Sequence, residues 1–156
     1  SYYFTSATLV ALGLHAIYYF RIALDIRYVI FLALATLGAD TFAYFVGRAI
    51  GKHKLNPRLS PKKTIEGSIG GIVCGGLLGL AYAYCVQIPY ALPHLALMSF
   101  VLSTTGQIGD LTFSSIKRTF EVKDYSQIFP GHGGVLDRFD SIIFNSMILG
   151  FLLTLL

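Results

Sequence analysis

The chain has 156 residues, the length of one domain. Hydrophobic residues make up 54% of it and charged residues only 13%, about half the charged share of an ordinary soluble domain, and the mean hydropathy is +0.66. These values exclude a soluble globule and a disordered chain and leave a polytopic membrane protein; the net charge of +4 is no nucleic-acid signal until the cations are placed along the chain.

A membrane span takes about 20 mostly apolar residues. In chain order the stretches that qualify are 3–20, 28–49, 67–87, 91–113 and 139–156. The predicted fold class is therefore all-α, a polytopic transmembrane helical bundle of about five spans, with residues 1–156 forming a single transmembrane catalytic domain. The third span is rich in small residues, and the spacing Gly71, Gly75, Gly79 lets helices approach closely. Cys74 and Cys85 fall on that same helix, eleven residues apart, too far for a disulfide. Tyr2, Tyr3, Tyr18, Tyr19 and Tyr28 lie near predicted span ends, where an interfacial belt is expected. The opening residues lack a basic region and a small-residue cleavage site, so no signal peptide is expected.

The connections differ sharply. Residues 21–27 and 88–93 are short, whereas residues 48–66 and 114–138 are long and basic. Arg48, Lys52, Lys54, Arg58, Lys62 and Lys63 lie in the first long loop, and Lys117, Arg118, Lys123 and Arg138 in the second, so ten of the twelve Lys and Arg lie on one side. That side is expected to be the cytoplasm, with the N-terminus inside and the C-terminus outside. Topology alone accounts for such charges; attraction to anionic headgroups and a phosphate site are the other readings.

Acids inside spans are costly and mark function. Asp40 lies in the second span and Asp110 in the fourth. Each belongs to a polar stripe at helical spacing: Thr36, Asp40, Tyr44, Arg48 on the second span, then Ser103, Gln107, Asp110, Ser114, Lys117 on the fourth. The fifth adds Asp137, Ser141 and Asn145, with Asp140 beside them. Steps of three and four place each set on one helix face, which predicts a shared hydrated cavity opening to the cytoplasm. The structural alternative is a set of interhelical hydrogen bonds with an internal Asp–Arg pair.

The first loop ends Ser60-Pro61-Lys62-Lys63-Thr64-Ile65-Glu66-Gly67, placing two ammonium groups and two hydroxyls before a helix start, a setting that favours phosphate. It is not a P-loop. In the second loop, basic residues alternate with glycines and carboxylates, from Ser114-Ser115-Ile116-Lys117-Arg118 through Lys123-Asp124 to Pro130-Gly131-His132-Gly133-Gly134 and Asp137-Arg138-Phe139-Asp140. Carboxylates hold Mg²⁺, which in turn holds phosphates. Lys and Arg neutralise phosphate oxygens, and glycines let backbone N–H groups approach a ligand. The combination suits phosphoryl or nucleotidyl transfer at a membrane surface.

Residues 114–140 resemble the signature of the CDP-diacylglycerol synthase family, also called phosphatidate cytidylyltransferases. Ser60-Pro61-Lys62-Lys63-Thr64 with Glu66-Gly67, and Asp40-Thr41 with Ala43-Tyr44 and Gly47-Arg48, resemble its upstream motifs. The resemblance covers about residues 39–140. It implies a nucleotidyltransferase that makes CDP-diacylglycerol and pyrophosphate from CTP and phosphatidate, with Mg²⁺ or Mn²⁺ as cofactor. It also implies CTP, phosphatidate and membrane lipid as partners, no nucleic acid, and allows a homodimer. The location expected is a bacterial cytoplasmic membrane, with the active site facing the cytoplasm. Family members usually carry further N-terminal spans, so the chain is expected to be the C-terminal part of a longer one.

Within that reading Asp110, Lys117, Arg118, His132, Asp137 and Arg138 are the expected catalytic residues. Ser60, Lys62, Lys63, Thr64, Lys123, Gly133 and Gly134 are expected to bind the nucleotide, and Asp110, Asp137 and Asp140 the metal. Each has a plainer alternative: salt bridges from Asp110 and Asp137 to Lys117 or Arg138, a turn-shaping role for His132, and topology for some of the cations. Asp124 has a solvated pair with Lys123 as its alternative. His15 and His94 are read as structural, and His53 has no evident partner. Rival functions are a CTP-dependent lipid-alcohol kinase, a related lipid cytidylyltransferase acting on archaeal ether lipids, and an ion-coupled transporter using Asp40 and Asp110. A chain that has lost activity for want of partner spans is the remaining reading.

Overall fold

A computed structural model of the chain describes residues 2–56, 60–119 and 136–155, with residues 2–6, 61–62, 117–119 and 136–138 described by backbone alone. The helices are α1 (Tyr2–Tyr19), α2 (Ile26–Ile50), α3 (Ile65–Cys85), α4 (Leu92–Thr119) and α5 (Leu136–Leu155). A π-helical turn, Phe20–Leu24, extends α1, and between α2 and α3 lie two short strands, β1 (Lys54–Asn56) and β2 (Ser60–Thr64). The expected helical bundle is thus present at each of the five stretches. The hairpin is an addition, in a segment expected to be an irregular loop.

Three helical segments, Ala7–Leu24, Ile26–Ile50 and Ile65–Cys85, are long and apolar enough to cross a membrane. The apolar part of α5, Phe139–Leu155, is shorter. Helix α4 has the length, at 28 residues, but Ser99, Ser103, Gln107 and Asp110 along it lower its hydropathy below that of a purely lipid-facing span. The outward faces fit a membrane: Ile69, Val73 and Leu77 form an exposed apolar stripe on α3, set apart from its glycines.

Helices α2 and α3 form the most extensive contact in the bundle. Gly71, Gly75 and Gly79 are buried on the inward face of α3, and a Cβ on Gly75 would lie 2.5 Å from the Ala39 backbone nitrogen and 2.7 Å from its Cα. Backbone packs on backbone there, so only glycine fits. Gly75→Leu is expected to destabilise the protein by about 3 kcal/mol or more, the upper range for overpacking a tight interface. A thermal melt in detergent reads this directly, and a midpoint equal to wild type would refute the close approach.

The helix ends are fixed locally. Asp25 caps α2 by accepting from Arg27 N at 3.0 Å, while the Arg27 guanidinium donates to the Asp25 carboxylate at 3.1 Å and to Val86 O at 2.9 Å. The Arg27 backbone N–H first, and its guanidinium in addition, hold the Asp25 carboxyl below the usual carboxylate range. At the end of α3, Gln87 sits at φ 54°, the left-handed conformation that lets Ile88 N return to Ala83 O at 3.0 Å.

The apolar core, Phe20, Phe31, Leu32, Met98, Leu102 and Leu149 among others, joins α1, α2, α4 and α5. Tyr28 is buried in it, which corrects its expected place in an interfacial belt; Tyr18 and Tyr19 are exposed as a belt requires. Cys74 and Cys85 are both free.

Candidate active site

The site begins with the hairpin. Strands β1 and β2 are antiparallel, with Lys54 opposite Thr64 and Asn56 opposite Ser60. Glu66, in the first turn of α3, accepts from Lys52 N at 3.1 Å and His53 N at 3.2 Å. His53 Nδ1 lies 2.6 Å from Glu66 Oε1, so His53 has the partner that its sequence context does not reveal. Thr64 caps α3, its hydroxyl accepting from Gly67 N at 3.2 Å. The hairpin is thereby locked to the N-terminus of α3, and β2 is held over α2 and α4.

Under the hairpin lies a cleft of about 720 Å³, lined from α2, β1, β2, α3 and α4. Asp40, Tyr44 and Arg48 enter it from α2, Lys54, Ser60, Lys63 and Thr64 from the hairpin, Ser68 from α3, and Gln107 and Asp110 from α4. At its centre Lys63 Nζ stands 2.5 Å from Asp110 Oδ2 and 4.0 Å from Asp40 Oδ1. Asp110 therefore pairs with a lysine from another element, whereas Lys117 and Arg138 are the partners its sequence neighbourhood suggests. Asp140 on α5 is close enough to Asp40 to act on it electrostatically, and the Ser141 hydroxyl donates to Asp140 Oδ1 at 3.3 Å. Asp140 itself is buried and accepts from Ser141 N at 2.7 Å.

Charge is graded along the cleft. Arg48 lies eight residues beyond Asp40 on α2, about 12 Å along the axis, and donates to the Tyr44 hydroxyl at 3.4 Å. Arg48 and Lys54 are both exposed. Cations thus stand at the rim and carboxylates at the floor, with Lys63 between them. The oxygen donors at the floor are hard and suit a divalent cation of the Mg²⁺ or Mn²⁺ type. Among the described residues no three His, Cys, Asp or Glu side chains form a ready-made metal cage.

The expected hydrated cavity is shorter than the polar stripes. Below the acids, Thr36, Ser103 and Asn145 are fully buried. Asn145 Nδ2 donates to Thr36 Oγ1 at 2.8 Å and to Leu102 O at 2.7 Å, and Thr105 Oγ1 donates to Asn145 Oδ1 at 2.7 Å. Ser103 Oγ donates to Ser99 O at 3.0 Å and Ser146 Oγ to Gly13 O at 2.8 Å. These hydrogen bonds join the helices to one another beneath the cleft. Gln107 borders the two regions: its amide nitrogen donates to Ser68 O at 3.0 Å, and the Ser68 hydroxyl donates to its amide oxygen.

Of the expected site residues, Ser60, Lys63, Thr64 and Asp110 line the cleft, and Asp140 lies beside it. Lys62 lies on β2, Lys117 and Arg118 on the last turn of α4, and Asp137 and Arg138 on the first turn of α5. Lys123, Asp124, His132, Gly133 and Gly134 lie outside the described residues. Lys54 and Ser68 are cleft residues that sequence reasoning missed. The alternation of β1 marks Lys54 only once the segment is known to be a strand, and Ser68 lies one turn past the Thr64 cap.

Carboxylates, cations and hydroxyls thus share one cleft, and the chain that builds it resembles known proteins. The profile of the Cytidylyltransferase family matches residues 1–156, and the chain belongs to that family. It is 45% identical over 130 residues to the phosphatidate cytidylyltransferase of Bacillus subtilis (strain 168), covering 83% of this chain and 48% of that protein. It is 49% identical over 128 residues to the phosphatidate cytidylyltransferase of Staphylococcus epidermidis (strain ATCC 12228), covering 82% and 49%. With the enzyme of that name from Staphylococcus haemolyticus it shares 43% over 142 residues, covering 90% and 55%. The chain spans about half the length of the curated relatives it matches.

Proposed function

We propose that the cleft is the site of a phosphatidate cytidylyltransferase, joining CTP and phosphatidate to give CDP-diacylglycerol and pyrophosphate. The observation that carries this reading is that Lys63 stands between Asp40 and Asp110, from two helices, beneath the cationic rim of Arg48 and Lys54. An acidic floor suits a metal ion and a basic rim suits phosphates. A transporter's intramembrane acids would border a through-going path, whereas here buried, mutually hydrogen-bonded Thr36 and Asn145 lie below the cleft.

Asp110, Asp40 and Asp140, with Asp137 from the same turn of α5, would hold Mg²⁺ or Mn²⁺. The bound ion would supply neutralisation of the triphosphate charge. Lys63, Lys54 and Arg48 orient and neutralise phosphate oxygens, joined by Lys62, Lys117, Arg118, Lys123, His132 and Arg138 as the family resemblance implies. A phosphate oxygen of phosphatidate attacks the α-phosphorus of CTP; that P–O bond forms as the bond to the β-phosphate oxygen breaks. The nucleophile is already anionic, so the chain's task is alignment and charge stabilisation more than proton removal. The rim faces the cytoplasm in a bacterial inner membrane.

The test supplies CTP labelled at the α- or γ-phosphorus to sealed vesicles of either orientation, with phosphatidate in the bilayer. Label from the α position should enter lipid, and only where the basic face points outward. Label entering lipid from the γ position would make the protein a kinase, and product in the opposite orientation would overturn the topology.

A further inference from the structure

The proposed function leaves one relation in the cleft unexplained. Lys63 Nζ and Asp40 Oδ1 are both shut off from solvent and, among the described residues, have no hydrogen bond of ordinary geometry. Their satisfaction is ionic, from the contacts of Lys63 Nζ with Asp110 at 2.5 Å and Asp40 at 4.0 Å. An ammonium group thus occupies the space between two carboxylates of a hard-oxygen set.

We propose that Lys63 is a resident counter-cation that competes with a divalent metal ion for Asp110 and Asp40, and that passes to a phosphate group when the metal enters. This rests on the metal-and-phosphate reading of the cleft. Three features of the structure support it. The Asp110 oxygen nearest Nζ is one of the two through which that carboxylate could hold a metal ion. The lysine backbone is fixed, because Lys63 precedes the Thr64 cap of a helix, while its four-carbon stem can swing as a point charge. The volume into which it would swing is the same cleft, bordered by Ser60, Lys54 and Arg48, where phosphate would lie. Because a metal ion and an ammonium group at one carboxylate repel each other, the site couples metal entry to release of a phosphate-binding cation. Such coupling is reciprocal: phosphate that draws Lys63 away strengthens metal binding by the same factor.

The experiment measures Mn²⁺ binding to the purified full chain in detergent, without nucleotide, from the electron paramagnetic resonance signal of free Mn²⁺. Asp110→Asn sets the background. Lys63→Met should bind Mn²⁺ about fivefold more tightly than wild type, the change expected when a competitor of ordinary ion-pair strength is removed. Lys63→Gln should do the same and serves where the methionine variant does not fold. Lys63→Arg keeps the charge and should stay near wild type. Transferase activity should fall in the methionine variant although its metal affinity rises, a pairing that a merely structural lysine would not produce. Equal or weaker Mn²⁺ binding in both neutral variants, with wild type binding above background, would overturn the role of Lys63 alone. Mn²⁺ binding at background in every variant would overturn the metal reading and this inference together.

Discussion

Asp110→Asn is expected to lower turnover about a thousandfold, the effect of losing about 4 kcal/mol of transition-state stabilisation. The amide keeps the shape and can still accept a hydrogen bond, but it lacks the charge that would hold a metal ion. Folding should suffer by about 1–3 kcal/mol, because Lys63 Nζ is shut off from solvent but keeps Asp40 as a neighbour. Specific activity per folded molecule, measured beside a melting curve in detergent, separates the two effects. A variant that melts early yet turns over normally would make Asp110 a structural partner of Lys63. The same pair of measurements on Asp137→Asn asks whether the first turn of α5 adds a further ligand.

Chelation is the second large effect. With EDTA, product formation should fall at least about a hundredfold, and Mg²⁺ or Mn²⁺ should restore it, since the floor carboxylates offer only hard oxygen donors. CTP or dCTP should serve as donor and ATP should not, as the family resemblance implies. Undiminished activity in chelator would remove the metal from the mechanism and leave charge stabilisation to the basic side chains alone.

Several parts of this arrangement were legible before any coordinates. The run of Gly71, Gly75 and Gly79 predicts a close helix approach, and Ala39 on α2 fills that contact. The cost of an intramembrane acid singles out Asp40 and Asp110, and both line the cleft. Other parts depend on long-range geometry. Lys62 and Lys63 are equivalent in a segment read as a loop; the pleat of β2, which has no strong hydrophobic alternation to announce it, brings Lys63 to the acids. Its partners are twenty-three and forty-seven residues away, on helices whose relative position only packing decides. The His53 and Glu66 pair closes across the same hairpin and was illegible for the same reason. The polar stripes were seen at full length, but helical periodicity cannot say where along a stripe water stops. Burial does: Asp110 borders the cleft, while Ser103, two turns deeper on the same helix, is sealed.

That boundary also sets the electrical character of the protein. Three carboxylates and a lysine partway into a membrane would form half of an ion conduit if water continued below them. The layer of Thr36, Asn145, Thr105 and Leu102 O spends its polar groups on one another and leaves none to solvate a passing ion. The cleft is therefore a blind well. On the proposed function, a highly charged reactant would enter and leave such a well on one side only.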